Sequence, residues 1–258
     1  MATEISLTEA DLSVLGPLAE HRILIVPQVA LLLGVSERTA ARRLRRLNDA
    51  GLLRLESIFK GQPAAAAITT KGLRATGSGL KAPYLNLNEY RHDVGVGWMW
   101  LAAREGAFGE LSGLTSDRRM RAEDAAAVSA GGAARWGIGL GLLGAHGRPQ
   151  RHYPDLLLET ASGHRVAVEL ELTSKSVRRM SRIMLAYASD ARIDDVLYLA
   201  ANRRIAGRVT EAARRAGVGD RVHVQLLAHD GIAGAQLGSA RPAPRQRGRV
   251  LNPRGPER

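Results

Sequence analysis

Apolar residues recur along the first part of the chain at helical spacing. From Leu7 to Glu20, Leu12, Leu15 and Leu18 fall on one side, which predicts a helix. A second short helix is expected after Pro27 through Val29, Leu32 and Leu33, with Gly34 ending it. Ser36 is a natural N-cap for a third, because its hydroxyl can accept a bond from a free amide of the next turn. In that third helix Ala40, Leu44 and Leu47 stand at i, i+4 and i+7, a single apolar stripe, and Asp49-Ala50-Gly51 stops it. Leu52 to Phe59 then reads as a strand, Lys60 to Pro63 as a turn, and Ala64 to Thr69 as the returning strand. Thr69 or Thr70 caps a last short helix, Lys71 to Ala75.

Further on the pattern alternates between the two periods. Asn86 or Asn88 caps a helix through about Glu105, apolar nearly all round in its second half and so expected to be buried. Strand-like pieces follow at Leu114-Thr115, Trp136 to Leu140, Tyr153 to Glu159 and His164 to Leu172, the last two joined by a turn at Gly163. A helix from Ser176 to about Ala191, a strand from Val196 to Ala200, a helix from Arg203 to Ala216 and a strand from Arg221 to Leu227 complete a β-α-β run. From Ser239 the chain carries four Pro, six Arg and almost no core-forming residue, which predicts a disordered basic tail. The organisation expected is residues 1–81, 82–236 and a tail at 237–258.

Composition narrows the function. Among 258 residues there is no cysteine, which excludes a disulfide framework, cysteine-held zinc and thiol catalysis. No apolar run approaches the ~20 residues of a membrane span, and the acidic N-terminus lacks a secretory pattern. A cytoplasmic, nucleoid-associated protein with no membrane partner is expected. Lys plus Arg number 37 against 25 Asp plus Glu, a formal net charge of +12, which favours a polyanion as partner.

The third helix concentrates that charge. Arg38, Thr39, Arg42, Arg43 and Arg46 lie off its apolar stripe, and guanidinium forks can pair with guanine edges or grip phosphates. With Ser36 at its start and Lys60 at the hairpin tip, these are the candidate DNA-binding residues. The alternative is a helical protein-interaction module with a solvated basic face. The order of short helix, Gly, Val-Ser-x-x-Thr, Arg-rich helix, Gly-Leu-Leu, hairpin and Ile-Thr-x-x-Gly resembles the winged helix-turn-helix domains of bacterial regulators.

A second constellation lies at Asp155, Glu169 and Glu171. Glu169 and Glu171 share one face of a strand, and the turn near Gly163 would bring Asp155 beside Glu169. Clustered carboxylates suit Mg²⁺ or Mn²⁺, which can stabilise charge on a phosphate during phosphodiester hydrolysis. The arrangement resembles the PD-(D/E)XK nuclease core. Glu171 stands where that motif holds Lys, and Lys175, four residues on, is the candidate replacement. The catalytic candidates are therefore Asp155, Glu169, Glu171 and Lys175, the first three also as metal ligands; otherwise no cofactor is implied, and the fold serves as a scaffold. Three lesser features stand nearby. His92 fits a hydrogen-bonded core histidine better than a ligand. Glu89 could add a carboxylate. Arg178, Arg179 and Arg182 form a basic face after the acidic strand.

Taken with Asn88 to Asp93, Ser116 to Arg121, Pro154-Asp155 and Glu169 to Thr173, the chain resembles the replication-relaxation family of actinobacterial plasmids, phages and integrative elements. The resemblance spans roughly residues 10 to 230. It implies an α/β (α+β overall) protein with an N-terminal winged helix-turn-helix and a C-terminal PD-(D/E)XK nuclease-like α/β domain. The expected function is sequence-specific binding of double-stranded DNA, as a homodimer, in plasmid or mobile-element replication control or transcription regulation. The alternatives are a Mg²⁺- or Mn²⁺-dependent DNA endonuclease targeted by its winged helix, and a structural partner in a replication or transfer complex.

Overall fold

The computed structural model describes residues 6–144 and 147–227, a mixed α/β chain; the expected tail at 237–258 lies outside the described residues. In the first part α1 (Glu9–Glu20), β1 (Leu24–Ile25), α2 (Val26–Leu33), α3 (Glu37–Asp49), β2 (Leu53–Glu56), β3 (Ala65–Ile68) and α4 (Thr70–Ala75) follow in order. β2 and β3 form an antiparallel hairpin, and β1 pairs with the free side of β3, giving the order β1-β3-β2. Leu15, Leu18, Leu24, Leu44, Leu47 and Ile68 close the core of this part. Gly34 ends α2 in the left-handed conformation (φ 63°), which a residue without Cβ reaches at little cost.

One expectation on α1 is corrected. Leu12 is 43% exposed, and the buried face is Asp11, Val14, Leu15 and Leu18. At 3.6 residues per turn, positions six apart diverge by about 120°, so Leu12 and Leu18 cannot both face the core. Two residues are too few to show a period, and β1 was not expected.

The second part opens with a single 3₁₀ turn, Leu87–Glu89, capped by Asn86, and continues into α5 (Tyr90–Arg104). β4 (Leu111–Ser116) and α6 (Asp117–Ser129) follow, then the hairpin β5 (Ile138–Leu143) and β6 (Pro149–His152). β7 (Leu156–Thr160), β8 (Arg165–Glu171), α7 (Val177–Ser189), β9 (Asp195–Ala200), α8 (Arg203–Arg215) and β10 (Val222–Leu226) complete it. A five-stranded sheet runs β10-β9-β8-β7-β4. Its β8-β9-β10 half is parallel, connected through α7 and α8, and its β4-β7-β8 half is antiparallel. α5 covers one face, against Leu156, Leu158, Val168 and Leu170. α7 and α8, with Met120 of α6 and Ile138 of β5, cover the other, against Leu157, Ala167, Val196 and Tyr198.

A polar joint ties the two parts together. Gln28 is fully buried; its Oε1 accepts from Ile25 N (2.9 Å) and its Nε2 donates to the Val94 carbonyl of α5 (2.8 Å). Gly97 makes room, since a Cβ there would lie 2.7 Å from that Nε2. Arg22 reaches Asp93 (3.3 Å) and Asp117 (3.0 Å). Ser116 donates to Glu20 (2.9 Å), Arg119 pairs with Glu20, and Arg118 donates to the His21 (3.2 Å) and Lys81 (2.6 Å) carbonyls. His21 itself is buried edge-on against Trp100, with ring centroids 5.0 Å apart. Asp93 and Ser116 to Arg119, within the sequence singled out at Asn88 to Asp93 and Ser116 to Arg121, thus belong to this joint.

Candidate functional site

Helix α3 stands on a buried foot. Ala40, Leu44 and Leu47 are wholly buried, and Ser36 caps the helix by accepting from Thr39 N (3.3 Å) while its hydroxyl meets that of Thr39 (3.0 Å). The cationic residues then divide in two groups. Arg38 and Arg42 are exposed and make no ion pair among the described residues. Arg43 and Arg46 turn back onto α1, where both grip the buried carboxylate of Asp11, Arg43 at 2.7 Å. Arg43, expected among the DNA-binding residues, is half-buried and already engaged. Sequence reasoning missed Arg45. It is exposed, and with Arg38 and Arg42 it completes an i, i+4, i+7 row, a spacing that could have revealed it.

Asp11 explains the division. Burial would push its carboxyl up, but bonds from Arg46, Thr8 and Arg43 hold it well below the ordinary 3.8. The same carboxylate closes a capping box with Thr8 at the start of α1. At the hairpin tip Lys60 is exposed, and its neighbour Phe59 stacks edge-on against Tyr90 at the start of α5 (5.0 Å). The tip is anchored on the second part of the chain.

The acidic residues gather at one end of the five-stranded sheet. β7 begins at Leu156, paired with Val168 of β8, so Asp155 just before β7 and Glu169 just after Val168 both lie at this end of the strand pair. Asp155 Oδ2 accepts from Leu170 N (2.8 Å) and meets His92 Nε2 (3.2 Å). Glu169 is buried, with the Tyr187 hydroxyl donating to it (2.6 Å) and the His152 imidazole on the same oxygen. Glu171, two residues on and on the same face, is buried and ion-paired with Lys175. Lys175 precedes α7, whose cap is Ser176, so its side chain is free to turn back to the acidic strand. Beneath them the Tyr198 hydroxyl is buried with no hydrogen-bond partner among the described residues.

The electrostatics follow from burial and neighbours. Burial would raise Glu169, but His152, Lys175 and the Tyr187 hydroxyl together hold the carboxyl low. Burial raises Glu171, with Lys175 opposing and Glu169 adding to the rise. Burial disfavours charge on His92, yet Asp155, with Asp93 and Glu89 beyond, lifts it to about 9. His92 is therefore a hydrogen-bonded histidine, and Glu89 is exposed beside it. Tyr187 and Tyr198 are pushed well above 10 by burial first and then by Glu169.

No group of three His, Asp or Glu close enough to hold a metal ion occurs among the described residues. Asp155 is bonded to His92 and Leu170 N, Glu169 to His152 and Tyr187, and Glu171 to Lys175, so the three carboxylates do not gather on one point. A pair of carboxylates fits Mg²⁺, which keeps several of its waters and takes one or two protein oxygens beside substrate phosphates. Set beside known proteins, the chain matches no family model and no curated sequence.

Proposed function

We propose that the protein binds double-stranded DNA sequence-specifically, with its first part as a winged helix-turn-helix and its second as a PD-(D/E)XK nuclease-like fold. The observation that carries this reading is the exposed, unpaired row of Arg38, Arg42 and Arg45 on a helix rooted by three fully buried side chains. Such a row suits the major groove, where a guanidinium can pair bidentately with guanine O6 and N7. The hairpin after α3, with Lys60 at its tip, supports the wing. The replication-relaxation resemblance supports a homodimer acting on the nucleoid, in replication control of a plasmid or mobile element or in transcription. The test is competition binding with cognate and scrambled duplexes. Arg38→Gln or Arg42→Gln costs ~1–3 kcal/mol on the cognate duplex and less on the scrambled one. Equal losses on both would reduce α3 to a phosphate grip.

A second reading, a Mg²⁺- or Mn²⁺-dependent DNA endonuclease, draws on Asp155 and Glu169 lying at the same end of the β7–β8 pair and on Lys175 reaching Glu171. Asp155 and Glu169 would hold the ion, which supplies positive charge against a phosphodiester. Tyr187 and His152 fix the Glu169 carboxylate, and His92 fixes that of Asp155. Supercoiled plasmid incubated with protein and Mn²⁺ decides it: nicking that Asp155→Asn stops supports the enzyme. Plasmid left intact, with melting unmoved by Mn²⁺, leaves the carboxylates as structural groups.

A further inference from the structure

A groove of about 440 Å³ opens between the first turns of α7 and the length of α8, at the carboxyl ends of β8 and β9. Met180, Ile205 and Val209 give it an apolar floor, and Lys175, Arg203, Arg204, Arg208 and Arg215 stand around it against the two acids Glu171 and Glu211. Both acids are already neutralised: Glu171 by Lys175, and Glu211 by Arg214 and Arg215. Arg203, Arg204 and Arg208 are exposed and make no ion pair among the described residues. Three unpaired guanidiniums beside one concavity repel each other, and an anion would relieve that repulsion.

The position of the groove says what kind of anion. A series of local contacts marks the way to it along one end of the sheet. Phe59 at the hairpin tip touches Tyr90, two residues from His92; His92 meets Asp155 beside the start of β7; Glu171 at the end of β8 meets Lys175 at the rim. Exposed Lys60 and Arg91 lie along the first half of this path, and exposed Arg178 and Arg179 stand beside its end. A single small phosphate would need one cradle. Exposed cations at the hairpin, on the first turns of α5 and α7 and at the groove lie on either side of carboxylates that are already paired with His92, His152 and Lys175, a spread that fits a repeating polyanion.

We propose that the α7–α8 groove is a second phosphate seat, in which Arg203, Arg204 and Arg208 hold the backbone of the same DNA duplex that α3 engages. This rests on the DNA-binding reading above. It adds affinity without sequence preference, because phosphates carry no base identity. It also extends the footprint past the acidic strand end.

The test measures binding against salt concentration for the full chain, on a short duplex covering only the α3 site and on a longer one. Each phosphate contact contributes about 0.9 to the slope of log K against log salt. The variant Arg203→Gln/Arg204→Gln/Arg208→Gln is expected to lower the slope by roughly 2–3 on the long duplex. Its slope on the short duplex and its preference for cognate over scrambled sequence stay as in the wild type. These three side chains are exposed, and a melting curve checks that the fold is kept. An unchanged slope on the long duplex overturns the proposal while leaving the role of α3 intact. A wild type that binds no duplex overturns the DNA reading itself. A third arm adds pyrophosphate: if it stabilises the wild type but not the variant, and the long-duplex slope is unchanged, the groove takes free phosphates and the duplex track is wrong.

Discussion

Replacing Asp11 by Ala tests the link between α1 and α3 most directly. The substitution removes a buried carboxylate that closes one capping box and neutralises two guanidiniums. Losing the cap costs about 1 kcal/mol. Losing one partner of a fully buried ion pair costs roughly 3–5 kcal/mol. Here the Arg43 and Arg46 side chains keep 27% and 43% exposure, so water takes over part of their solvation. That brings the ionic share down to about 2 kcal/mol. The expected total is about 3 kcal/mol, a fall in Tm of roughly 6–12 °C for a chain of this size. Asp11→Asn, which can keep the cap, is expected to lose about 2 kcal/mol.

The acid limb supplies an independent readout. The folded carboxyl is held below the ordinary 3.8, so on acidification the unfolded chain takes up the proton first. The stabilisation is present above about pH 4 and is lost as pH falls below it. Wild type therefore loses stability there more steeply than either variant. Freed Arg43 and Arg46 also become available to phosphate, and on the proposed DNA-binding reading non-specific binding to a duplex gains up to about 2 in salt slope. Thermal melts from pH 2 to 7 measure the first two effects. If Asp11→Ala melts within a degree of wild type with the same acid limb, the carboxylate does not hold α3 and the division of its arginines is wrong.

Other outcomes follow from the packing. Gly72→Ala drives a Cβ into the Leu52 backbone carbonyl, and the expected loss by denaturant melt is about 3 kcal/mol. His21 is held by burial at about 4, against an ordinary 6.5. The unfolded chain binds its proton first, so stability falls as pH drops from 6.5 to 4, by at most about 1.4 kcal/mol per pH unit; His21→Phe should flatten that window in a pH series of melts. Arg22→Met leaves Asp93 buried without its partner, when burial has already pushed that carboxyl up to about 6. The expected cost is about 2–3 kcal/mol, partly recovered in Arg22→Met/Asp93→Asn; a double-mutant cycle without recovery would refute the pairing.

What could be read from the sequence was what short-range pattern encodes. The cap at Ser36, the stripe of Ala40, Leu44 and Leu47, the stop at Gly34 and the alternation of Glu169 and Glu171 about Gly163 are all local, and the structure carries them. α6 was not legible as a helix, because it buries only Met120 and Asp124 and shows no apolar stripe. β6 is Pro-Gln-Arg-His, half exposed and without alternation, so the meeting of His152 with Glu169 was invisible. The fate of Arg43 and Arg46 depended on Asp11, 32 residues from Arg43 in the chain. Composition gives no hint of such a pairing, since an arginine on an amphipathic helix looks the same whether it faces solvent or a buried acid. The acidic pair was foreseen from strand geometry, whereas the hold of Lys175 on Glu171 required the loop before α7.

Gln28 also bears on how the protein is made. Its amide joins two stretches 66 residues apart, and only the Ile25 half of its bonding lies within the first part of the chain. A ribosome adds about 5–20 residues per second, so the Val94 carbonyl emerges roughly 3–13 s after Gln28 does. Throughout that interval a hydrated Gln28 amide, Leu24 and the rim of His21 face whatever surrounds the nascent chain. Helix α3 can be wound and capped early, but the surface behind it is sealed only when α5 arrives. A chain cut before residue 90 would keep that raw surface for good, and would meet chaperones or its own copies there.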